Sequence, residues 1–282
     1  MNYQQILYKA NKFLKTNRVK NPKLDSELLL SKVLNKKREK ILINLKDKLN
    51  PQQINKFNFY LFRRKNKEPI SQILGFKYFW KYKFVVDKTV LIPRPETEHI
   101  IEEALKIIPI KKSLNILDIG TGSGCIIISI LKERSKCRAT AVDISNKALK
   151  IAKINAKLHQ LENKIKFINI DIDKFDTNKY DLVLSNPPYI KNVDYSRLDD
   201  DVKLFEPKLA LYGGLDGLGE VRKVIKKSSV LLKDNGNLII EIGDNQKNHS
   251  VEILNKNGFY VRKICKDLSG KDRCIISTKI NK

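Results

Sequence analysis

Residues 115–124 read NILDIGTGSG, and residues 125–133 after them read CIIISILKE. Asn115–Ile119 forms a short apolar strand. Glycines at alternate positions, Gly120, Gly122 and Gly124, then allow a tight turn and the close approach of a ligand to the main chain. Gly124–Glu133 has the composition of a helix, whose first turn offers free N–H groups suited to a carboxylate or phosphate. A second strand, Ala139–Asp143, ends on an acid 19 positions after Gly124. There a carboxylate can accept both hydroxyls of a ribose. The spacing is GxGxG, not the GxGxxG of dinucleotide binders. Asp118 stands before the glycines, where a carboxylate can hold an ammonium group. Together these features fit S-adenosylmethionine better than NAD.

The alternation continues downstream. A helix over Ser145–His159, capped at Ser145, leads to a third strand at Lys164–Ile170 and a fourth at Tyr180–Ser185. A helix over Gly217–Leu232, a fifth strand at Asn237–Ile242 and a helix over Ser250–Asn257 follow. Two strands, Phe259–Lys266 and Arg273–Thr278, close the pattern, joined by Leu268-Ser269-Gly270. Strands alternating with helices predict an α/β fold, a mostly parallel sheet covered on both faces. Two final strands with no helix between them predict an antiparallel pair at one end. Upstream, residues 1–75 read as helices. Ile6, Leu7, Ala10, Phe13 and Leu14 share a face. Asp25-Ser26-Glu27 leads into Leu28-Leu29-Leu30, with Val33 and Leu34 continuing the stripe. Asn50 and Pro51 open a third segment that runs through Phe62. Residues 76–92, FKYFWKYKFVVDKTVLI, are aromatic and β-branched and suggest a hairpin linking two domains.

Two strand ends carry further candidates. Asp171 and Ile172 follow the third strand, beside Asp143 and near where an adenine would lie. Asp171 can accept from an adenine amine and Ile172 can flank the ring. An ordinary turn carboxylate in IDIDKFD is an equal reading of Asp171. The fourth strand runs into Ser185-Asn186-Pro187-Pro188-Tyr189-Ile190. Two prolines cannot continue a central strand, so the chain turns there. Ligands bind beyond the carboxyl ends of the strands in an open parallel sheet, which puts Asn186 on the same edge as the glycine loop. Its side-chain carbonyl and a main-chain carbonyl freed by the prolines can clasp an –NH2 group. Tyr189 can stack on a flat substrate. The nitrogen of an amide or aryl amine is a poor nucleophile because its lone pair is delocalised. Accepting both N–H bonds orients it and stabilises the positive charge that develops as it attacks, and alignment with a sulfonium methyl supplies the rest.

Composition bounds the rest. The chain has 282 residues, 41% of them hydrophobic and 31% charged, enough apolar material for a sizeable core. That excludes a disordered acidic chain, a collagen-like repeat and a small disulfide scaffold. The most apolar stretch, Cys125–Leu131, has seven residues and includes Ser129, whereas a spanning helix needs about 20. The start, MNYQQILYKA, lacks a signal-peptide pattern, so a cytoplasmic location is expected. Cys125, Cys137, Cys265 and Cys274 form no CxxC pair and read as free buried thiols. His99, His159 and His249 are not at ligand spacing, so no metal is expected. The net charge of +25 suggests either a polyanionic partner or lysine-rich genome composition. Residues 1–75 carry +13 of it.

The chain resembles the protein-(glutamine-N5) methyltransferases that modify peptide chain release factors. LIPRPETE (Leu91–Glu98), DIGTGSG (Asp118–Gly124), the strand ending in Asp143, SNPPYI (Ser185–Ile190), FEPKLAL (Phe205–Leu211), GGLDGL (Gly213–Leu218) and EIG (Glu241–Gly243) are similar to that family's motifs, in order. NPPY alone is shared with DNA and RNA amine methyltransferases; LIPRPETE and FEP…GGLDGL narrow the choice. The resemblance implies a seven-stranded Rossmann-like class I methyltransferase sheet over residues 93–282. It also implies a helical substrate-docking domain over 1–75 and a hairpin linker over 76–92. The implied donor is S-adenosylmethionine, and the implied acceptor is the glutamine of a release factor's Gly-Gly-Gln motif, a reaction of translation termination. Asp118, Gly120, Thr121, Gly122, Ser123, Gly124, Asp143, Asp171, Ile172 and Asn186 would face the donor. Asn186, Pro187, Pro188 and Tyr189 would hold the glutamine, with Asn186, Pro187 and Tyr189 as catalytic residues. Ile172 stands where the family often has an aromatic residue. The expected enzyme is a monomer that needs no nucleic-acid binding. A nucleic-acid amine methyltransferase is the competing reading, favoured by NPPY and the basic charge. It would need a base-recognition region, and residues 1–75 lack an evident base-reading motif. A non-enzymatic binding protein on the same fold is disfavoured by the intact Asp118, Asp143 and Asn186.

Overall fold

A computed structural model describes residues 1–177 and 179–280 of the chain. They divide into two units, one of residues 1–76 with 199–205, the other of residues 77–198 with 206–282.

The first unit holds helices α1 (Tyr3–Thr16), α2 (Pro22–Leu34), α3 (Arg38–Ile43), α4 (Pro51–Lys65) and α5 (Ile70–Leu74). Asn50 caps α4: its side chain accepts from the Gln53 N–H while the Gln53 side chain answers to the Asn50 N–H. Helix α2 begins at Pro22, ahead of Asp25-Ser26-Glu27, so these three lie inside the helix and are buried. Asp25 there accepts from the buried Arg64 of α4 at 2.7 Å. The core joins Ile6, Ala10, Leu29, Leu30, Ile41 and Phe57. Phe13 leaves the predicted apolar stripe of α1 and is exposed, with the Lys65 ammonium 5.7 Å from its ring centre.

A hairpin of β1 (Phe76–Phe79) and β2 (Tyr82–Val85) opens the second unit from Lys77 onward. Phe79 and Phe84 are buried in the same cluster as the sheet residues Ile116 and Leu182. A seven-stranded sheet follows, built from β3 (Asn115–Ile119), β4 (Arg138–Asp143), β5 (Ile165–Asn169), β6 (Tyr180–Ser185), β7 (Leu232–Glu241), β8 (Phe259–Lys266) and β9 (Asp272–Lys279). Its order is β5-β4-β3-β6-β7-β9-β8, with β9 antiparallel to both β7 and β8 and the other pairs parallel. The mostly parallel sheet is the one the alternation predicts, and the seven strands are those the resemblance implies, with the antiparallel strand slotted between β7 and β8.

Helices α6 (Glu98–Ile107), α7 (Cys125–Glu133), α8 (Asn146–Leu158), α11 (Gly219–Leu231) and α12 (Lys247–Lys256) cover the sheet; α9 (Asn192–Tyr195) is a single turn, as is α10 (Asp200–Lys203), which belongs to the first unit. The period of two along the strands sorts the core. Ile116, Leu182, Leu184, Ile239 and Ile276 pack on one face with Ile127 and Ile130 of α7. Leu117, Val183, Leu238, Ile240 and Ile275 pack on the other with Val221 and Val224 of α11. All four cysteines are free and buried.

Candidate active site

The sheet register places the site. Ile119 pairs with Val142 on one side and Ser185 on the other, and Ser185 pairs with Ile240. Gly120, Asp143, Asn186 and Glu241 are the next residues of β3, β4, β6 and β7, so they share one row at the carboxyl edge. Ser185 Oγ donates to the Ile119 carbonyl at 2.9 Å, which ties the two central strand ends together.

The glycine loop needs its glycines for conformation. Gly120, Gly122 and Gly124 have φ of +71°, +55° and +79°, values that oppose a Cβ. A Cβ on Gly120 or Gly122 would meet nothing within 4 Å, whereas one on Gly124 would press Ile128 of α7. The first two glycines thus leave an open cradle, and the third allows the helix to pack closely. Asp143 holds this loop: Oδ2 accepts from the Gly122 N–H at 2.9 Å and Oδ1 from the Ser145 N–H at 2.8 Å. Burial raises its pKa against those two bonds. Asp118 is fully buried beneath the loop and accepts from Thr121 Oγ1 at 2.6 Å, while its other oxygen has no partner. Burial, aided by the Asp143 charge and opposed by Thr121, pushes the Asp118 carboxyl up to about 7.

Beside the loop lies a cavity of about 300 Å³, in the range of small-molecule sites. Of the residues expected to face a donor or the substrate, Gly120, Asp143, Asp171, Ile172, Asn186, Pro187 and Pro188 line it. Asp118, Thr121, Gly122, Ser123, Gly124 and Tyr189 do not. Asp171 lines the cavity and caps a short 3-10 turn, accepting from the Asp173 N–H at 3.0 Å, so its part in the turn is formed. Leu91, Leu209, Tyr212 and Val224 complete an apolar wall.

The NPPY turn is braced from several elements. Asn186 Nδ2 donates to Thr97 Oγ1 at 3.0 Å. The side-chain carbonyl of Asn186 has no partner among the described residues. The Tyr189 hydroxyl donates to Glu241 Oε1 at 3.3 Å, and burial raises the Tyr189 pKa. Glu241 is itself buried, which pushes its carboxyl up to about 7 against the nearby Thr97 hydroxyl, the Tyr189 bond and the charge of Arg273. Gln246 donates to the carbonyls of Tyr189 and Gly217 and accepts from the Gly243 N–H at 2.8 Å. Glu206 accepts from the Ile92 N–H at 3.0 Å and pairs with Arg94. The motifs around Leu91–Glu98, Phe205–Leu211, Gly213–Leu218 and Glu241–Gly243 thus converge on one turn. Sequence reading matched these motifs to a family without roles for Thr97, Glu206, Glu241 or Gln246. Their partners lie up to 114 positions away, beyond any local pattern.

Two family models match the chain: one described as a methyltransferase domain, over residues 110–278, the other as the PrmC N-terminal domain, over residues 5–75. A release factor glutamine methyltransferase of Fusobacterium nucleatum is 38% identical over 97% of this chain and 78% of its own length. One from Caulobacter vibrioides is 36% identical over 94% of this chain and 92% of its own. The chain belongs to the release factor glutamine methyltransferase family. As a methyltransferase of this family it uses S-adenosylmethionine as donor. A bifunctional methyltransferase of Rickettsia conorii is 35% identical over 99% of this chain, which spans 58% of that longer protein. Among solved structures, a methyltransferase from Pyrococcus furiosus matches with a TM-score of 0.53 over 70% of this chain and 89% of its own, at 20% identity. A ribosomal protein L11 methylase from Lactobacillus delbrueckii subsp. bulgaricus matches at 0.50 over 67% and 81%, at 19% identity. These two likenesses speak to the fold. The residues present fit the family's donor. Asp118 keeps a buried oxygen unpartnered beneath the loop, the cradle at Gly120 and Gly122 is open, and Asp143 stands at the cavity wall.

Proposed function

We propose that this chain methylates the side-chain amide nitrogen, N5, of the glutamine in the Gly-Gly-Gln motif of peptide chain release factors, acting in translation termination. The supporting observation is the Asn186 carboxamide: its –NH2 end is held by Thr97, and its carbonyl stands unpartnered in a turn that lines the cavity. In this reading Gly120 through Gly124, Asp118, Asp143, Asp171 and Ile172 hold the donor. When bound, the donor supplies a methyl group activated by its sulfonium, so the proposal calls for no metal. The Asn186 carbonyl and the Pro187 main-chain carbonyl accept the two N–H groups of the glutamine amide and orient its nitrogen. Their dipoles stabilise the positive charge that grows on nitrogen as the N–C bond forms. The nitrogen then gives up one proton to solvent. Pro188 shapes the turn, and Tyr189 braces it through Glu241. The enzyme is proposed to act as a cytoplasmic monomer, since one chain supplies every residue named here.

Transfer of labelled methyl to purified release factor tests the proposal. Asn186→Ala is expected to lower the rate by about 10²–10³ while donor affinity, read by calorimetry, is retained. Release factor whose Gly-Gly-Gln glutamine is changed to alanine should take up no label. The +25 net charge favours one other reading, a nucleic-acid amine as acceptor. Label on DNA with none on release factor would establish that reading instead.

A further inference from the structure

Thr97 has no part in holding donor or acceptor, yet it makes the one side-chain bond to Asn186 among the described residues. It is 3% exposed and closes the 3-10 turn Pro95–Thr97 at the start of α6. Because its oxygen accepts from the Asn186 –NH2, its own hydrogen must go elsewhere. The Glu241 carboxyl lies close enough to feel it. This buried carboxyl has an oxygen, Oε2, that meets no donor at close hydrogen-bond distance, and the Thr97 hydroxyl favours its ionised form. Once ionised, above its value of about 7, Glu241 only accepts, so a hydroxyl between it and an amide donates to the first and accepts from the second. The Tyr189 hydroxyl also donates to Glu241, through Oε1 at 3.3 Å.

This polarity matters because a carboxamide is nearly symmetric in shape. Turned by half a revolution, Asn186 would present –NH2 where the carbonyl belongs, and two donors would then face each other across the site. We propose that Thr97 is a positioning residue that fixes the Asn186 carboxamide with its carbonyl toward the acceptor amide. The inference rests on the reading that Asn186 receives the substrate amide.

Thr97→Val and Thr97→Ser separate orientation from packing. Valine keeps the shape and loses the hydroxyl; serine keeps the hydroxyl and loses a methyl. With the full chain and release factor as substrate, Thr97→Val is expected to lower kcat about tenfold, the worth of one lost hydrogen bond. Thr97→Ser should stay within about threefold of wild type, and donor Kd should be unchanged in both. The reverse order, with valine the more active, would mean that Thr97 only fills space and would overturn the proposal. So would wild-type kcat in both variants. In an Asn186→Ala background, Thr97→Val should have no further effect on kcat, since the group it orients is gone. An undiminished tenfold loss there would also overturn it. Full activity of Asn186→Ala alone would bring down the reading of the site itself, a result distinct from failure of Thr97 to matter.

Discussion

Asp118 and Asp143 were legible as single letters: one acid precedes the glycines and the other ends the next strand. What the letters did not carry is how differently the two are placed. Asp143 lines the cavity and spends both oxygens on main-chain N–H groups, so it shapes the loop as well as facing the ligand side. Asp118 is sealed below, with one oxygen bonded to Thr121 and one bonded to nothing. That arrangement makes a pH prediction with a definite sign. The folded carboxyl titrates at about 7 against an ordinary value of 3.8, so between those values the native state keeps a proton that the unfolded chain has released. Stability that depends on this group is therefore highest at low pH and falls as pH rises, until the folded carboxyl ionises. Asp118→Asn removes the titration and keeps an acceptor for Thr121. Urea unfolding of the donor-free protein should show the variant gaining on wild type between about pH 5 and about pH 7.5. A stability difference that stays flat across that range would mean that Asp118 is not held protonated. Thr97 and Glu241 were not legible at this scale. Each is an ordinary residue in its own segment and gains meaning only from a partner on another strand or helix.

The elements themselves were well marked. Tyr180–Ser185 lies where the apolar run and the prolines put it, and the Ser145 and Asn50 caps form as read. Helix starts were less sharp: α2 begins at Pro22, ahead of Asp25-Ser26-Glu27, and α11 at Gly219, two residues after Gly217. The loop after β6 was hardest to read, since its shape comes from close main-chain packing rather than side-chain pattern. Ile190 bridges to Tyr212, and the Gly213 N–H donates to the Ile190 carbonyl at 2.9 Å. Gly217 sits against the same turn at φ +76°, and a Cβ there would stand 2.5 Å from the Tyr189 carbonyl and 2.7 Å from Gln246 Nε2. Gly217→Ala should therefore displace the NPPY turn, with kcat falling at least about tenfold, since strain and clash together cost more than about 1 kcal/mol. The glycine loop belongs to a different strand end, so donor Kd should change little. Rates and calorimetry on the one variant decide it, and parallel loss of donor binding would show that the two loops are not separable.

For the whole molecule, the alternation of strands and helices was enough to forecast the sheet, because a parallel sheet buried on both faces leaves long apolar strands that stand out. The division of the chain was less direct: residues 199–205 belong with the N-terminal helices although they lie within the later sequence. Those helices carry a large share of the basic excess, and Lys9, Lys12 and Lys15 of α1 are all exposed. If that charge guides the protein substrate, changing the three to glutamate should raise KM for release factor and flatten its dependence on salt, with kcat at saturation preserved. An unaltered KM would assign the lysines to composition alone. The sheet order has one more consequence, concerning how the molecule is made. β9 emerges from the ribosome after β7 and β8, yet it lies between them and pairs Cys274 with both Glu241 and Cys265. A nascent chain halted before Asp272 holds β7 with an open edge and β8 with no strand beside it, two unpaired ladders of the kind that recruit other chains. Synthesis of the last strand therefore also closes the sheet, and the growing polypeptide is most in need of a chaperone just before that strand appears.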